Sequence, residues 1–477
     1  MKWIAAHTWL LFLVPLVAGI MLCYHTQFPI NLLQSTDVDY LDRDTLLCLH
    51  LISEGQERNK TIRYTAAAED QSRLLLYLQK DTINPQPFPQ MGDLLLVQTQ
   101  VQRGDTLGTF DYGRYLRLQG IVGSAWAHRG NWQIIGHQPI KGIRAAAQRC
   151  QHWLHQRYLQ LGIDNPELGI LSALTLGYRE ELDPRVQQTF SASGAMHILA
   201  VSGLHTGIVW GILLWVLTFG GLAKPLYEQR GRRCLLAIIL LLLLWVYAFI
   251  TGLSPSVLRS VLMVTLLEIG WLLHRHSMGI NTLSAAAVII LLINPLALWS
   301  VSFQLSFAAV ASLIIVAQSF QQRIVTPNRI SQYIVGLLVV SIAAQIGTLP
   351  LTLHYFGQTS NYFALTNLVV IPAAFVLLLM GFATLAFSWC QLGHWLAEAT
   401  EYCTYLLRRF VEWVEQLPYS TSHIQISTPS VILCYIAIAC AALMMRGEKV
   451  HWWWLTGFAG SLAGILYLEI LTPISTR

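Results

Sequence analysis

Apolar and polar positions along this chain follow two different periods. Between residue 25 and about residue 145 they alternate in short runs, "DTLLCLHLI", "KTIRYTAA", "SRLLLYLQK", "GDLLLVQTQVQ" and "NWQIIGH", separated by Gly, Pro, Asn and Asp. Period two over such lengths predicts half-buried strands, and the punctuation predicts a small all-β domain. Elsewhere the apolar residues run on without alternation, near 4–23, 195–219, 233–251, 255–273, 279–296, 301–319, 331–349, 361–388, 429–446 and 450–471. A helix needs about 17 to 25 apolar residues to cross a bilayer. The fold class predicted is a polytopic α-helical membrane protein with an inserted small all-β domain.

Composition agrees with that division. Of the 477 residues 54% are hydrophobic and 12% charged, against about a quarter charged in ordinary soluble domains. The first apolar run follows Lys2, but "MLCYHTQF" offers no small-residue cleavage site, so residues 1–24 are expected to stay as an anchor rather than leave as a signal peptide. Residues 25–145 form the β domain, 146–194 an amphipathic helical connector and 195–471 the transmembrane part. "HWLAEATEYCTYLLRRFVEWV" is amphipathic and fits either an interfacial helix or a crossing within the bundle.

Charge gives an orientation. Lys224, Arg230, Arg232 and Arg233, then Arg275, then Arg323 and Arg329, then Arg446 and Lys449 fall in alternate loops, and short basic loops face the cytoplasm. Counting back through the 195–219 run places the β domain on the external side of the membrane. The eight cysteines include no C-x-x-C pair, and no H-E-x-x-H is present, so neither a metal nor a cofactor is expected.

"HILAVSGLHTGIVWG", residues 197–211, sets polar and tiny residues inside an apolar run. Gly203, Gly207 and Gly211 stand four apart, the spacing of a helix-packing seam. His197, Ser202 and His205 are expected on the same helix, beside the seam. Polar groups at membrane depth face a bundle interior or a wet cavity; here they either line a path or serve as hydrogen-bonded glue between helices. An acyl-transfer reading of Ser202 and His205 lacks a third group to orient the imidazole. Arg259 lies within another apolar run, and Glu268, nine residues on, falls on the opposite side of that helix. Arg259 therefore needs another helix, water or an anion. Gln304, Gln345, Asn361 and Asn367 add polarity around the prolines Pro350 and Pro372, which predict broken helices lining a cavity.

The series "LSALTLGYREEL", "FSASGAMHILAVSGLHTGI", "TGLSPSVLRSVLM", "LLINPLALWSVSFQLSFAAV" and "QIGTLPLTLHYFGQTSNYFALTNLVVIP" resembles, in order and spacing, the competence domain of the ComEC family of bacterial DNA-internalisation channels. Upstream, "TFDYGRYLRLQGIVG" is similar to the end of that family's external OB-like domain. The resemblance covers roughly residues 30 to 470. It implies a channel that passes one DNA strand across the cytoplasmic membrane during natural transformation. It also implies partners: an external DNA receptor, a separate nuclease and a cytoplasmic helicase or strand-binding protein, in contact with membrane lipid and open to assembly as a homo-oligomer. His197, Ser202, His205, Arg259, Gln304, Gln345 and Asn367 become the expected translocation path. The H-x-H-x-D-H cluster of the metallo-β-lactamase-like domain found in many members does not occur in this sequence, so the resemblance carries no nuclease activity with it.

Two physical points bear on that expectation. From residue 101 to 160 the basic residues Arg103, Arg114, Arg117, Arg129, Lys141, Arg144, Arg149 and Arg157 face only Asp105 and Asp111, with Tyr112, Tyr115, Trp126 and Trp132 among them. Cations for phosphates and aromatic faces for bases are what single-strand binding uses, so Arg114, Tyr115, Arg117, Trp126, Arg129 and Trp132 are the expected DNA contacts. Moving an anion inward against the membrane potential costs about 2.3 kcal/mol per charge per 100 mV. The sequence has no phosphate-binding loop for ATP, so the work must come from a partner or from proton coupling. A small-solute secondary transporter and a membrane-embedded hydrolase are the competing readings.

Overall fold

A computed structural model describes residues 43–57, 60–80, 88–102, 106–107, 110–111, 120–128, 130–218, 230–273, 279–317, 328–445 and 452–471, with Val17, Gly113 and Leu116. The expected N-terminal anchor lies outside these residues apart from Val17.

The alternating region folds as strands β1 (Asp44–Leu51), β2 (Gln56–Glu57), β3 (Thr61–Ala68), β4 (Arg73–Gln79), β5 (Asp93–Gln102), β6 (Thr106–Leu107), β7 (Phe110–Asp111), β8 (Ile121–Ala127) and β9 (Trp132–His137). Neighbours run β1-β3-β4-β8-β5, and β5 pairs back onto β1, closing a barrel; β9 continues from β5. All contacts around the ring are antiparallel except β4 with β8. This Greek-key ring is the topology of an OB-type barrel. Alternation put Leu47, Leu49 and Leu51 of β1 inside with Ile62, Tyr64 and Ala66 of β3 and Leu95 and Val97 of β5. Each fully buried Leu stabilises by about 1.5–3 kcal/mol. Tyr64 keeps its hydroxyl satisfied by donating to the Pro89 carbonyl at 2.9 Å.

Three connector helices follow: α1 (Ile143–Gln160), α2 (Glu167–Thr175) and α3 (Pro184–Ala192). The bundle then comprises α4 (Gly203–Leu217), α5 (Arg230–Ile250), α6 (Pro255–Leu272), α7 (Gly279–Ile293), α8 (Val301–Ser312), α9 (Arg329–Phe356), α10 (Phe363–Ala386), α11 (Gln391–Glu415), α12 (Thr428–Met445) and α13 (Trp452–Leu471). Four stretches, Arg233–Ile250, Pro255–Leu272, Arg329–Phe356 and Phe363–Ala386, are long and apolar enough to cross a membrane. Helix starts obey local chemistry. Asp183 and Ser254 precede Pro184 and Pro255 and accept from Arg185 and Val257 amides, as N-caps before an N1 proline do. Gly357, at φ +64°, ends α9 in the left-handed region. A short ribbon, β10 (Gln358–Ser360) on β11 (Thr421–His423), ties the ends of α9 and α11.

Several expectations are corrected. The run at 195–219 is not one helix: residues 195–202 are non-helical and α4 starts at Gly203, with Ser202 as its N-cap. Pro350 and Pro372 do not break their helices but lie inside α9 and α10. A helical proline loosens the carbonyls one turn back, and near Pro350 the Tyr435 hydroxyl donates to the Gly347 carbonyl at 2.8 Å. The amphipathic stretch is one helix, α11, packed along α10 and held to α2 by Arg408, which binds Glu167 at 2.8 Å and Glu412 at 2.6 Å.

The glycine seam also lies elsewhere. A Cβ on Gly207 or Gly211 would meet nothing within 4 Å, and only Gly203 approaches a neighbour, the Ser260 hydroxyl. The residues of α4 buried against other elements are His205, Thr206 and Val209. The close approach is between α8 and α9, where a Cβ on Gly347 would lie 2.5 Å from Ser312 Cβ and 2.6 Å from the Ala308 carbonyl oxygen. Ser312 donates across the same contact to the Ala343 carbonyl at 2.6 Å. Gly347→Val should therefore destabilise the bundle by about 1–3 kcal/mol through overpacking, read as a lower thermal midpoint in detergent, whereas Gly207→Ala and Gly211→Ala should leave that midpoint nearly unchanged.

Candidate functional site

Three buried polar groups, Arg259, His205 and Asn367, lie within the first two turns of their helices. Arg259, in the second turn of α6, is 7% exposed, and its guanidinium donates to the Ser302 hydroxyl at 2.8 Å and the Ser302 carbonyl at 3.1 Å. Its Nε has no partner, and no carboxylate among the described residues pairs with it. Glu268 is engaged elsewhere, accepting from the Trp210 indole at 3.1 Å. A buried guanidinium satisfied only by neutral groups retains its full positive field.

Further polar contacts lie on α8 and α9. Gln304 donates to the Leu298 carbonyl at 3.0 Å and accepts from the Tyr355 hydroxyl at 2.8 Å. Four residues beyond Tyr355, Thr359 accepts from the Gln345 amide at 3.1 Å. Arg259, Gln304 and Gln345 each find a partner, in three separate contacts on or beside α8 and α9. Asn367 lies in the second turn of α10, 8% exposed, with its carbonyl oxygen unpartnered. Ser302, Tyr355 and Thr359 were not singled out by sequence reasoning, although "SVSFQLSF" showed its serines plainly.

At the start of α4, His205 is fully buried and turned back over the helix end. Its Nδ1 receives the Ser202 amide at 3.3 Å and lies 3.2 Å from the Ser202 hydroxyl. Since Nδ1 accepts, the proton of the neutral ring sits on Nε2, and that N–H has no partner. No carboxylate orients the imidazole, so Ser202 and His205 make a helix cap rather than a nucleophile and its base. His197 lies outside α4, exposed, with Nδ1 3.2 Å from the Gly194 carbonyl.

On the barrel, Trp126 is 50% exposed and stacks on Tyr77 at 4.4 Å with their planes 10° apart. Trp132 is half buried against the barrel core. Arg114, Tyr115, Arg117 and Arg129 lie outside the described residues.

The barrel meets the connector through a titratable cluster that sequence reasoning did not assemble. Glu54, in the loop after β1, binds His152 Nδ1 of α1 at 2.9 Å, and Glu181 binds His155 Nε2 at 3.1 Å. Tyr178 stacks on His155 at 4.4 Å and meets His152 edge-on. Glu54 holds the His152 pKa above its ordinary value, whereas Glu180, buried and facing Glu54, is pushed up to about 7. His155 holds Glu181 below the usual carboxylate range.

A Greek-key barrel carried on a helical bundle with a polar interior defines a polytopic membrane protein. The Competence protein family model matches residues 174–449, more than half of the sequence, and the chain belongs to that family. ComE operon protein 3 of Bacillus subtilis (strain 168) is 28% identical over 397 residues, 77% of this chain and 45% of the relative. Competence protein ComA of Neisseria gonorrhoeae is 28% identical over 361 residues, 72% of this chain and 49% of the relative. Recombination protein 2 of Haemophilus influenzae is 26% identical over 244 residues, 48% of this chain and 30% of the relative. The chain thus spans about half the length, or less, of these relatives. No solved structure matches it.

The cluster's titrations set a direction for pH. Protonated His152 favours docking of the barrel on α1, a contribution present below about pH 6.5 and lost as pH rises through its raised pKa. Glu180 binds its proton more tightly when docked, so docking weakens between about pH 4.5 and about 7 as that carboxyl ionises. Both act in the same sense. Hydrogen exchange in the loop at residues 52–57, corrected for intrinsic rate, should be slower at pH 5.5 than at pH 8, and His152→Ala should remove most of the difference.

Proposed function

We propose that this chain forms the path by which a single DNA strand crosses the cytoplasmic membrane during natural transformation, with the barrel on the external side. The observation that carries the reading is Arg259, a buried guanidinium inside a bundle of competence-family sequence, held by Ser302 and by no carboxylate among the described residues, with the polar contacts of Gln304 to Tyr355 and Gln345 to Thr359 on and beside the neighbouring helices. Such a cation favours a passing phosphate without first being released from an ion pair. Relatives named for competence support DNA as the cargo over a small solute.

In this reading the barrel receives the strand, and Trp126 on Tyr77 offers a rigid face on which a base stacks. Arg259 holds phosphates within the membrane, while Gln304, Gln345, Asn367, His197, Ser202 and His205 supply hydrogen bonds along the way. Work against the membrane potential comes from outside the chain, from a cytoplasmic helicase or strand-binding partner. An external DNA receptor and a separate nuclease deliver the strand.

The test follows end-labelled duplex DNA in naturally transformable cells that depend on this chain. Deleting the gene should abolish cytoplasmic label while surface-bound label persists. Arg259→Ala should lower arrival at least ~10-fold, the rate equivalent of about 1.4 kcal/mol, and Trp126→Ala should weaken oligonucleotide binding by about 1–3 kcal/mol. Unchanged arrival in the deletion strain ends the channel reading; unchanged arrival with Arg259→Ala alone removes Arg259 from the path.

A further inference from the structure

We infer that the outward line of α1, Arg149, Trp153 and Arg157, is a second contact surface for single-stranded DNA, set between the barrel and the bundle. This inference rests on the reading of the chain as a DNA path and adds residues outside the contacts assigned there.

Helix α1 joins the last barrel strand to α2 and is fixed at both ends. Glu54 of the barrel binds its His152 at 2.9 Å. Its Leu154 packs with Ile250, the last residue of α5, and its Tyr158 hydroxyl stands where a Cβ on Gly381 of α10 would lie 2.9 Å away. His155 and Tyr158 are fully buried, on the side of the helix away from Trp153. The other side is open. Arg149, Trp153 and Arg157 follow one another at intervals of four residues, so they fall within about 80° of one another and about 6 Å apart along the axis. All three are exposed, Trp153 by 55%.

Both guanidinium groups are held by neutral partners. Arg149 donates to the Ile140 carbonyl at 3.1 Å. Arg157 donates to the Gln160 side-chain oxygen at 3.1 Å and lies 5.1 Å from the centroid of the Trp153 ring, which steadies the indole without burying it. Among the described residues no carboxylate pairs with either arginine; the acids that reach this part of the chain, Glu54 and Glu181, go to His152 and His155. Between Asp111 and Asp164 the sequence holds seven Lys or Arg and no Asp or Glu. Cation, ring and cation along one line repeat the order phosphate, base, phosphate of a single strand. A lipid surface asks instead for a continuous apolar face. The other exposed apolar residues of α1, Ile143 and Leu159, stand about 80° and 120° to either side of Trp153. A strand passing from the barrel to the bundle therefore meets α1 on the way.

Purified full-length protein in detergent provides the test, with a fluorescein-labelled oligothymidylate as probe. Log affinity for a single strand falls with log salt by about 0.7 for each phosphate neutralised. Replacing Arg149→Gln and Arg157→Gln together should make that slope shallower by about 1.4, and lysine at both positions should restore it. Trp153→Ala should lower affinity at least ~5-fold with the slope unchanged, and Trp153→Phe should keep most of the affinity. Cys150, a free thiol beside Arg149, reports on the unsubstituted protein: in phosphatidylglycerol nanodiscs its maleimide labelling, located by mass spectrometry, should be slowed several-fold by the oligonucleotide. An unchanged slope in the double glutamine variant overturns the assignment and leaves the channel reading intact. If the nanodisc lipid alone shields Cys150 and the oligonucleotide adds nothing, the face belongs to the membrane surface and the inference fails. If the unsubstituted protein binds no oligonucleotide, the inference fails as well, while arrival of label in cells decides the channel separately.

Discussion

Arg259 and its contact with Ser302 express the constraint under which the whole bundle is built: a polar group away from water must find a partner inside the protein or keep a standing cost. Most groups here comply by the cheapest route. Thr206, Thr251, Ser260, Thr265, Ser284, Thr348 and Thr352 each donate to a carbonyl one turn back in their own helix. Those residues are solved locally and say nothing about cargo. Among the described groups that remain buried and unsatisfied are the Arg259 Nε, the His205 Nε2 and the Asn367 oxygen, with the Tyr247, Ser341 and Ser360 hydroxyls. The first three lie within the first two turns of α6, α4 and α10.

The barrel is tied to the connector helix α1 by ionisable side chains, Glu54 on His152. Its core is complete in itself, since the ring of strands closes and its inward residues touch one another. What reaches α1 is Glu54, at the tip of a loop. An attachment of that kind holds position without fusing two cores.

Much of this was legible in the sequence. The short apolar runs located β1, β3, β4, β5 and β9; one face of β1, β3 and β5 is core and the other is not, whereas β4 is buried on both faces and β9 is largely exposed. Long apolar runs located the helices. Errors arose where a local signal admits more than one partner. Spacing of Gly203, Gly207 and Gly211 states that a backbone could be approached, but among the described residues no helix approaches the latter two. Ala343 and Gly347 carry the same four-residue spacing, masked by Pro350, which reads as a break although α9 runs through it. His197 and His205 looked like one helical face because nothing in an apolar run announces where a helix begins. The cluster of Glu54, His152, His155, Glu180 and Glu181 was out of reach, since its contacts join Glu54 to His152, 98 positions on, and His155 to Glu181, 26 positions on.

The Gly347 contact bears on how such a bundle is held. With backbones touching, α8 and α9 form one tightly packed wall, on which Ser302, Gln304 and Gln345 lie. Across from Ser260 stands α4, whose Gly207 and Gly211 face no neighbour among the described residues. Among those residues, the close backbone contact of the bundle is therefore on the α8–α9 side, and the buried His205 belongs to the more loosely held helix.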